Sequence, residues 1–437
     1  MTYSTIQNKY KSLIDSNSMS VYQIIIVAIC FILNMNDGID VLIVSFSSAD
    51  IIKEWTLSKA EMGYVFSTGL AGMALGCFII APLADKIGRQ KIFILSLSLI
   101  TLGMLLVFIC KNYTQLLCFR LITGMGIGGI LPTLAATASE FSNNKFKDFN
   151  VGFVQAGWPF GAIFTGFFCA WAIPQFGWRF AFLFAGCVSL LMLLLVIIYV
   201  KDSIDFLIKK QPVNALSKMN SLLPKLGFET INEMPEKLIA EANPSVFALF
   251  ETEFKISTIK VWIGIFFGFL TLYTLMSWVP NIAKDAGLPF EMATYVGIAL
   301  NIGAAIGTVS MGAIAAKLGL KKTVFSFMLS AFVVMLIYGN VHLTTALIFI
   351  FILLIGMFVQ GGFNGMYPIL ARVYPTEIRT TGVGFAMGIG RFGAVLGPTV
   401  FGVLSDAGLH ISTLFSLFSI PLLITGFMAY TIPSKNL

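Results

Sequence analysis

Residues 81–91 read APLADKIGRQK, and residues 312–322 read GAIAAKLGLKK, a displacement of 231 positions. A second pair repeats in the same way: VGFVQAGWPFGA at 151–162 matches VGFAMGIGRFGA at 383–394, a displacement of 232. Two separate segments with nearly the same offset argue for the duplication of one unit. Because the first pair joins apolar stretches two to three and eight to nine, that unit contains six such stretches.

The composition sets the medium. Of 437 residues, 57% are hydrophobic and 11% charged, with a mean hydropathy of +0.89, against roughly 25% charged in soluble domains. Stretches of apolar residues recur along the chain, each long enough to cross a hydrocarbon core of about 30 Å as a helix. The expected spans are 21–47, 62–84, 92–110, 114–139, 151–173, 178–200, 260–280, 292–315, 323–340, 344–371, 380–404 and 411–431. The fold class is therefore an all-α integral membrane protein, with 12 transmembrane helices in two parallel six-helix halves. Residues 1–200 form the first half, 201–259 a partly helical cytoplasmic linker, and 260–437 the second half. Halves of this kind rock about a site at the bilayer midplane. The first apolar run exceeds a secretory h-region and no small-residue cleavage site follows it, so it reads as a retained span. The cysteines Cys30, Cys77, Cys110, Cys118, Cys169 and Cys187 lie in or at the ends of spans without metal-like spacing and read as packing residues.

Basic residues orient the chain. Lys9, Lys11, Lys86, Arg89, Lys91, Lys145, Lys147, Lys317, Lys321, Lys322, Arg372, Arg379 and Lys435 fall on one side, joined by the lysines of the linker. Lys53, Lys59, Lys111, Arg179 and Lys284 fall on the other. The bias places both termini in the cytoplasm, and the net charge of +7 reads as an orientation signal, with the lipid bilayer and no nucleic acid as its partner. No phosphate-binding loop, nucleotide fingerprint, metal cluster or nucleophile elbow is present, so the chain reads as no enzyme and needs no cofactor. His342 and His410 read as surface residues. Glycine runs such as GLAGMALG (69–76) and GMGIGG (124–129) allow helices to approach closely and slide.

The motifs carry a family likeness. PLADKIGRQK (82–91) and RLITGMGIGG (120–129) resemble the loop and fourth-helix signatures of the major facilitator superfamily, over essentially the whole chain. NDGIDVL (36–42), with YPTEIRTTGVGFAMGIGRFGAVLGP (374–398), resembles the aromatic acid:proton symporter family. The resemblance implies proton-driven import of an aromatic carboxylate across a bacterial inner membrane by a monomer. The second-half loop departs from it: Ala316 stands opposite Asp85 and Leu320 opposite Arg89. A carrier of sugars or organic cations, or an exporter working by proton antiport, is the alternative. A sensor that binds ligand without moving it is a reading of another class.

Two carboxylates, Asp37 and Asp40, interrupt the first span, where each costs about 2.5–3.5 kcal/mol at the bilayer centre. Three residues apart, they share a helix face, and mutual repulsion favours retention of one proton. They are the expected proton carriers; backbone bonding beside Gly38, or a static water pocket, is the other reading. Arg391 lies about eleven residues, or roughly 16 Å, into its span. Its planar, permanently charged fork suits a carboxylate, which makes it the expected substrate anchor, unless it forms a fixed ion pair with Asp37 or Asp40. Arg120 matches the superfamily's fourth-helix arginine and is expected to couple with Asp37 or Asp40, or else to snorkel. Tyr273, Phe363 and Tyr367 are the expected stacking partners for a substrate ring. Asp85, Arg89, Glu140 and Arg379 are expected to gate the cytoplasmic side, with Glu140 paired to Arg89 or Arg379; topology alone accounts for the arginines but leaves Asp85 unexplained.

Overall fold

The structure is a computed structural model and describes residues 19–234, 246–251, 254–341 and 343–433. The chain termini and His342 lie outside the described residues. Among the described residues, twelve helices are long and apolar enough to cross a membrane. They are Val21–Trp55 (α1), Lys59–Ile79 (α2), Arg89–Phe108 (α3), Tyr113–Glu140 (α4), Lys147–Phe176 (α5), Trp178–Tyr199 (α6), Lys255–Asp285 (α7), Phe290–Leu318 (α8), Leu320–Asn340 (α9), Thr345–Asn364 (α10), Thr376–Asp406 (α11) and Ile411–Tyr430 (α12). Several run a turn or more beyond the expected spans, because polar first and last turns continue the helix past the apolar stretch. Ser20 and Ser58 each start a helix with a reciprocal capping box, which satisfies two otherwise orphaned backbone donors.

The duplicated loop has a backbone cause. Gly88 and Gly319 sit immediately before α3 and α9 at φ +103° and +87°, a region that side chains rarely enter. Around Gly88 the fit is tighter: a Cβ there would strike the carboxylate of Asp202. Asp202 accepts a hydrogen bond from the Gln90 backbone N–H at 3.2 Å and faces Lys218 at 3.9 Å. Burial pushes its carboxyl above the ordinary carboxylate value, against the opposing pull of Gln90 and Lys218.

Helix pairing obeys the same duplication. In the first six helices the closest pairs are α1 with α5, α2 with α4, α3 with α4, and α3 with α6; in the last six they are α7 with α11, α8 with α10, α9 with α10, and α9 with α12. Equivalent glycines make equivalent crossings. A Cβ on Gly161 would run into the Met35 carbonyl where α5 crosses α1, and one on Gly393 into the Phe266 carbonyl where α11 crosses α7. These are the close approaches that glycine permits in lipid, where apolar association gains little from excluding water.

The two sets of six meet through α2 with α11, α5 with α8, and α1 with α7. Their polar contacts gather at the end carrying Lys59. Asp406 accepts from the backbone N–H groups of Lys59 and Ala60 at 3.0 and 2.7 Å, Lys59 pairs with Asp285 at 2.6 Å, and Lys284 with Asp50 at 3.4 Å. A turn or two deeper, the Ser67 hydroxyl donates to the Val395 carbonyl and the Ser45 hydroxyl meets the carbonyls of Met276 and Ser277. Toward the opposite end, a Cβ on Gly152 of α5, Gly312 of α8 or Gly384 of α11 would meet open space. The halves are thus joined at the Lys59 end and parted at the Gly88 end.

The segment expected to link the halves divides its contacts. Helices Ile204–Lys210 and Ala215–Leu222 bury Phe206, Leu207, Met219 and Leu222, and Lys225 lies 5.3 Å over the ring of Tyr22 in α1. Further on, the Leu249 carbonyl accepts from Thr258, and Phe250 meets Trp262 edge-on, both in α7.

Candidate functional site: buried carboxylates and arginines at mid-depth

Asp37 and Asp40 are 4% and 0% exposed, and they reach different helices. Asp40 turns to α4, where its Oδ1 accepts from Arg120 Nη1 at 2.9 Å. Gly69 of α2 leaves room for that guanidinium, since a Cβ there would come within 3.0 Å of Nη2. Arg120 therefore pairs and does not snorkel. Asp37, one turn nearer the Gly88 end, has Trp158 of α5 as its hydrogen-bonding neighbour and Arg391 within electrostatic reach. Its Oδ1 has no partner among the described residues.

Arg391 is 7% exposed and makes no ion pair within 4.0 Å among the described residues, so the fixed ion-pair reading is set aside. Its Nη1 donates to the Tyr273 hydroxyl at 3.0 Å, and its guanidinium lies 5.5 Å over the ring of Phe269 and 5.9 Å over that of Tyr273. A cation over an aromatic face keeps part of the stabilisation it loses with its water. The depth is consistent across helices: Asp37 is 18 residues from Trp55 in α1 and Cys77 is 18 from Lys59, each about 27 Å along its helix. Arg391 is 15 residues from Asp406 in α11, about 22 Å.

The aromatic residues separate by position. Tyr273 lines a cleft with Asp40, Phe66, Gly69, Arg120 and Ser277. Phe363 is 2% exposed and stands 4.4 Å behind Phe269, so it backs the ring wall. Tyr367, 42% exposed and 5.8 Å from Phe363, presents open surface. Phe269, Trp158 and Cys77 went unnoticed in the sequence as members of this cluster. Phe269 had a signal, four residues before Tyr273 on the same helix face. Cys77 read as packing, but it is half-buried beside Arg391, Asp37 and Tyr273.

The expected gating charges stand apart, at the Gly88 end. Arg89 bridges Asp85 at 3.1 Å and Glu140 at 2.9 Å, so Glu140 pairs with Arg89 and not Arg379. All three belong to the first six helices. Arg379 donates from Nε to the Tyr374 carbonyl of its own loop at 3.3 Å. At the parted end, then, the cluster and Arg379 do not join.

Twelve spanning helices in two matching sets, closed on one face and holding buried charges at mid-depth, are the architecture of a membrane transporter. The chain belongs to the major facilitator superfamily, whose family model matches residues 26–300 and 261–436. Similar proteins include the 4-hydroxybenzoate transporter PcaK of Acinetobacter baylyi, 30% identical over 94% of this chain and 91% of that protein. The gallate transporter of Pseudomonas putida is 29% identical over 94% and 92%. Among solved structures, the inward-open xylose transporter XylE of E. coli superposes with a TM-score of 0.72 at 15% identity, covering 94% of this chain and 96% of that one. A bacterial homologue of the human lysosomal transporter Spinster, inward-facing and occupied, gives 0.71 at 16%, covering 95% and 97%. The chain is a multi-pass membrane transporter and not an enzyme.

Proposed function

We propose that this protein imports an aromatic carboxylate together with protons across a bacterial inner membrane, by alternating access. The observation that carries the reading is Arg391: a guanidinium buried at mid-depth, held by a hydroxyl and two aromatic rings, with no carboxylate within 4.0 Å among the described residues. A cation so placed is costly unless something anionic joins it. A substrate carboxylate supplies the missing charge through two parallel hydrogen bonds, and the rings of Tyr273, Phe269 and Tyr367 offer faces or edges to its ring. The names of the relatives, transporters of 4-hydroxybenzoate and gallate, favour the same substrate class.

Asp37 is the proton site in this reading. It has the Trp158 hydrogen bond but no ion pair within 4.0 Å among the described residues, and it stands within electrostatic reach of the anchor, so binding of an anion at Arg391 changes the field it feels. Asp40, neutralised by Arg120, holds α1 to α4. Both termini and the Gly88 end face the cytoplasm, so the state described is open inward and closed outward. Residues 1–200 and 260–437 move as the two bodies, working as a monomer, and the Asp85, Arg89, Glu140 and Arg379 charges close the inner rim when the halves tilt the other way.

Purified protein in liposomes containing a pH-sensitive dye tests this, with aromatic acids, aliphatic acids, sugars and cations added outside under an imposed proton gradient. Acidification that depends on an aromatic acid, and that Asp37→Asn abolishes, is the expected result. Movement of a sugar or cation with no response to any acid would overturn the proposal.

A further inference from the structure

We infer that Cys77 is a specificity-determining residue of this site, setting which aromatic acids are accepted by the space it leaves beside the substrate carboxylate. The inference rests on the aromatic-carboxylate reading above. Cys77 sits on α2, and its neighbours come from three other helices: Arg391 from α11, Asp37 from α1 and Tyr273 from α7. Its thiol donates to the Gly128 carbonyl of α4 at 3.2 Å. The sulfur lies within electrostatic reach of the Arg391 guanidinium, whose Nη1 donates to Tyr273. Cys77 and Tyr273 thus flank the anchor, and a carboxylate must use the N–H groups they leave over.

The ring positions nearest a bound carboxylate are the two carbons ortho to it. Whatever flanks the guanidinium therefore meets ortho substituents first, and para substituents last. The sulfur is small, soft and weakly polar, which tolerates a group at that place without demanding one. A second observation marks the same spot as a place for ligand: Asp37, 4% exposed, keeps Oδ1 without a partner there, and buried acceptors of this kind are seldom left unsatisfied.

The backbone at position 77 cannot retreat from a larger side chain. A Cβ on Gly128 would come within 2.8 Å of the Cys77 backbone nitrogen, and one on Gly76 would run into the Met125 carbonyl. With α2 and α4 locked at their crossing, the backbone at position 77 stays in place, and we expect the Arg391 guanidinium to feel volume added there. The other cysteines lie elsewhere: Cys30, Cys110 and Cys169 are buried, and Cys118 and Cys187 are exposed on α4 and α6.

Uptake of benzoate, 2-hydroxybenzoate and 4-hydroxybenzoate by proteoliposomes, for wild type, Cys77→Ala, Cys77→Val and Cys77→Leu, tests the inference. Cys77→Ala is expected to transport all three, while Val and Leu lower uptake of the 2-hydroxy acid about tenfold more than that of the 4-hydroxy acid, the scale of one or two misplaced methyl groups in a shaped pocket. In a chain whose other five cysteines are alanine, N-ethylmaleimide labelling of Cys77 is expected to slow when 4-hydroxybenzoate is present. Parallel losses for all three acids, with labelling indifferent to them, would overturn the role of Cys77 alone. Wild-type protein that moves none of the acids would overturn this inference together with the aromatic-acid reading.

Discussion

The two halves of this protein share a framework and differ in chemistry. Gly161 and Gly393 make the same crossing against Met35 and Phe266, and Gly88 and Gly319 start α3 and α9 in the same strained geometry. When those crossings are matched, Asp37 and Asp40 of α1 correspond to Gly268 and Thr271 of α7, and Pro159 of α5 corresponds to Arg391 of α11. The first half carries two carboxylates, the second the free guanidinium. Packing is therefore symmetric, while charge is complementary across the interface. In the proposed cycle, like frameworks let the halves tilt as equals, and unlike charges give substrate and proton different homes.

The comparison can be broken most severely at Asp40. Arg120→Ala leaves that carboxylate buried and alone, and truncating one member of a buried pair costs about 3–5 kcal/mol; thermal unfolding in detergent should fall accordingly, whereas Arg391→Ala, which strands no paired carboxylate, should cost far less stability. Similar losses from the two arginines would mean that Arg391 is structural. Next in size is Arg391→Lys. It keeps the charge but loses the fork, and binding of an aromatic acid should weaken about tenfold, the value of one charge-assisted hydrogen bond, while a neutral aromatic amide is unaffected.

Symmetry of the framework is sharpened by Gly161→Ala and Gly393→Ala. Each drives a methyl group into a backbone carbonyl and should destabilise by about 1–3 kcal/mol, with the two values alike; a marked difference would deny the equivalence. The smallest effect concerns Asp202, which has no counterpart role at Gly319, where a Cβ would meet nothing within 4 Å. Burial raises its carboxyl above the unfolded value, so the neutral form is the one the fold favours. That contribution is full below the unfolded value and is lost as pH climbs through the raised folded value. Stability should decline slightly as pH rises above the ordinary carboxylate range, by about 1–2 °C in the unfolding midpoint, and Asp202→Asn should flatten the decline.

How much could be read in advance differs between charge and aromatic. Asp37, Asp40, Arg120 and Arg391 were visible because ionisable side chains inside an apolar stretch are conspicuous by their cost. Aromatic and sulfur groups cost nothing there. With 41 phenylalanines in the chain, Phe363 and Phe269 could not be told apart until one was found behind the other, and Cys77 looked like any small core residue. The cluster at the Gly88 end was half legible: Asp85 and Arg89 are one helical turn apart, but the choice of Glu140 over Arg379 depends on which half each loop follows.

The sequence alone determined the medium, the twelve helices and their duplication, since hydropathy and repeat spacing are properties of neighbours along the chain. Only the tertiary structure decided which arginine each carboxylate meets, that Asp40 is paired and Asp37 is not, and that the halves touch at the Lys59 end and part at the Gly88 end. Those are relations between helices far apart in sequence, set by how glycine-lined faces seat against each other, and no local pattern encodes them.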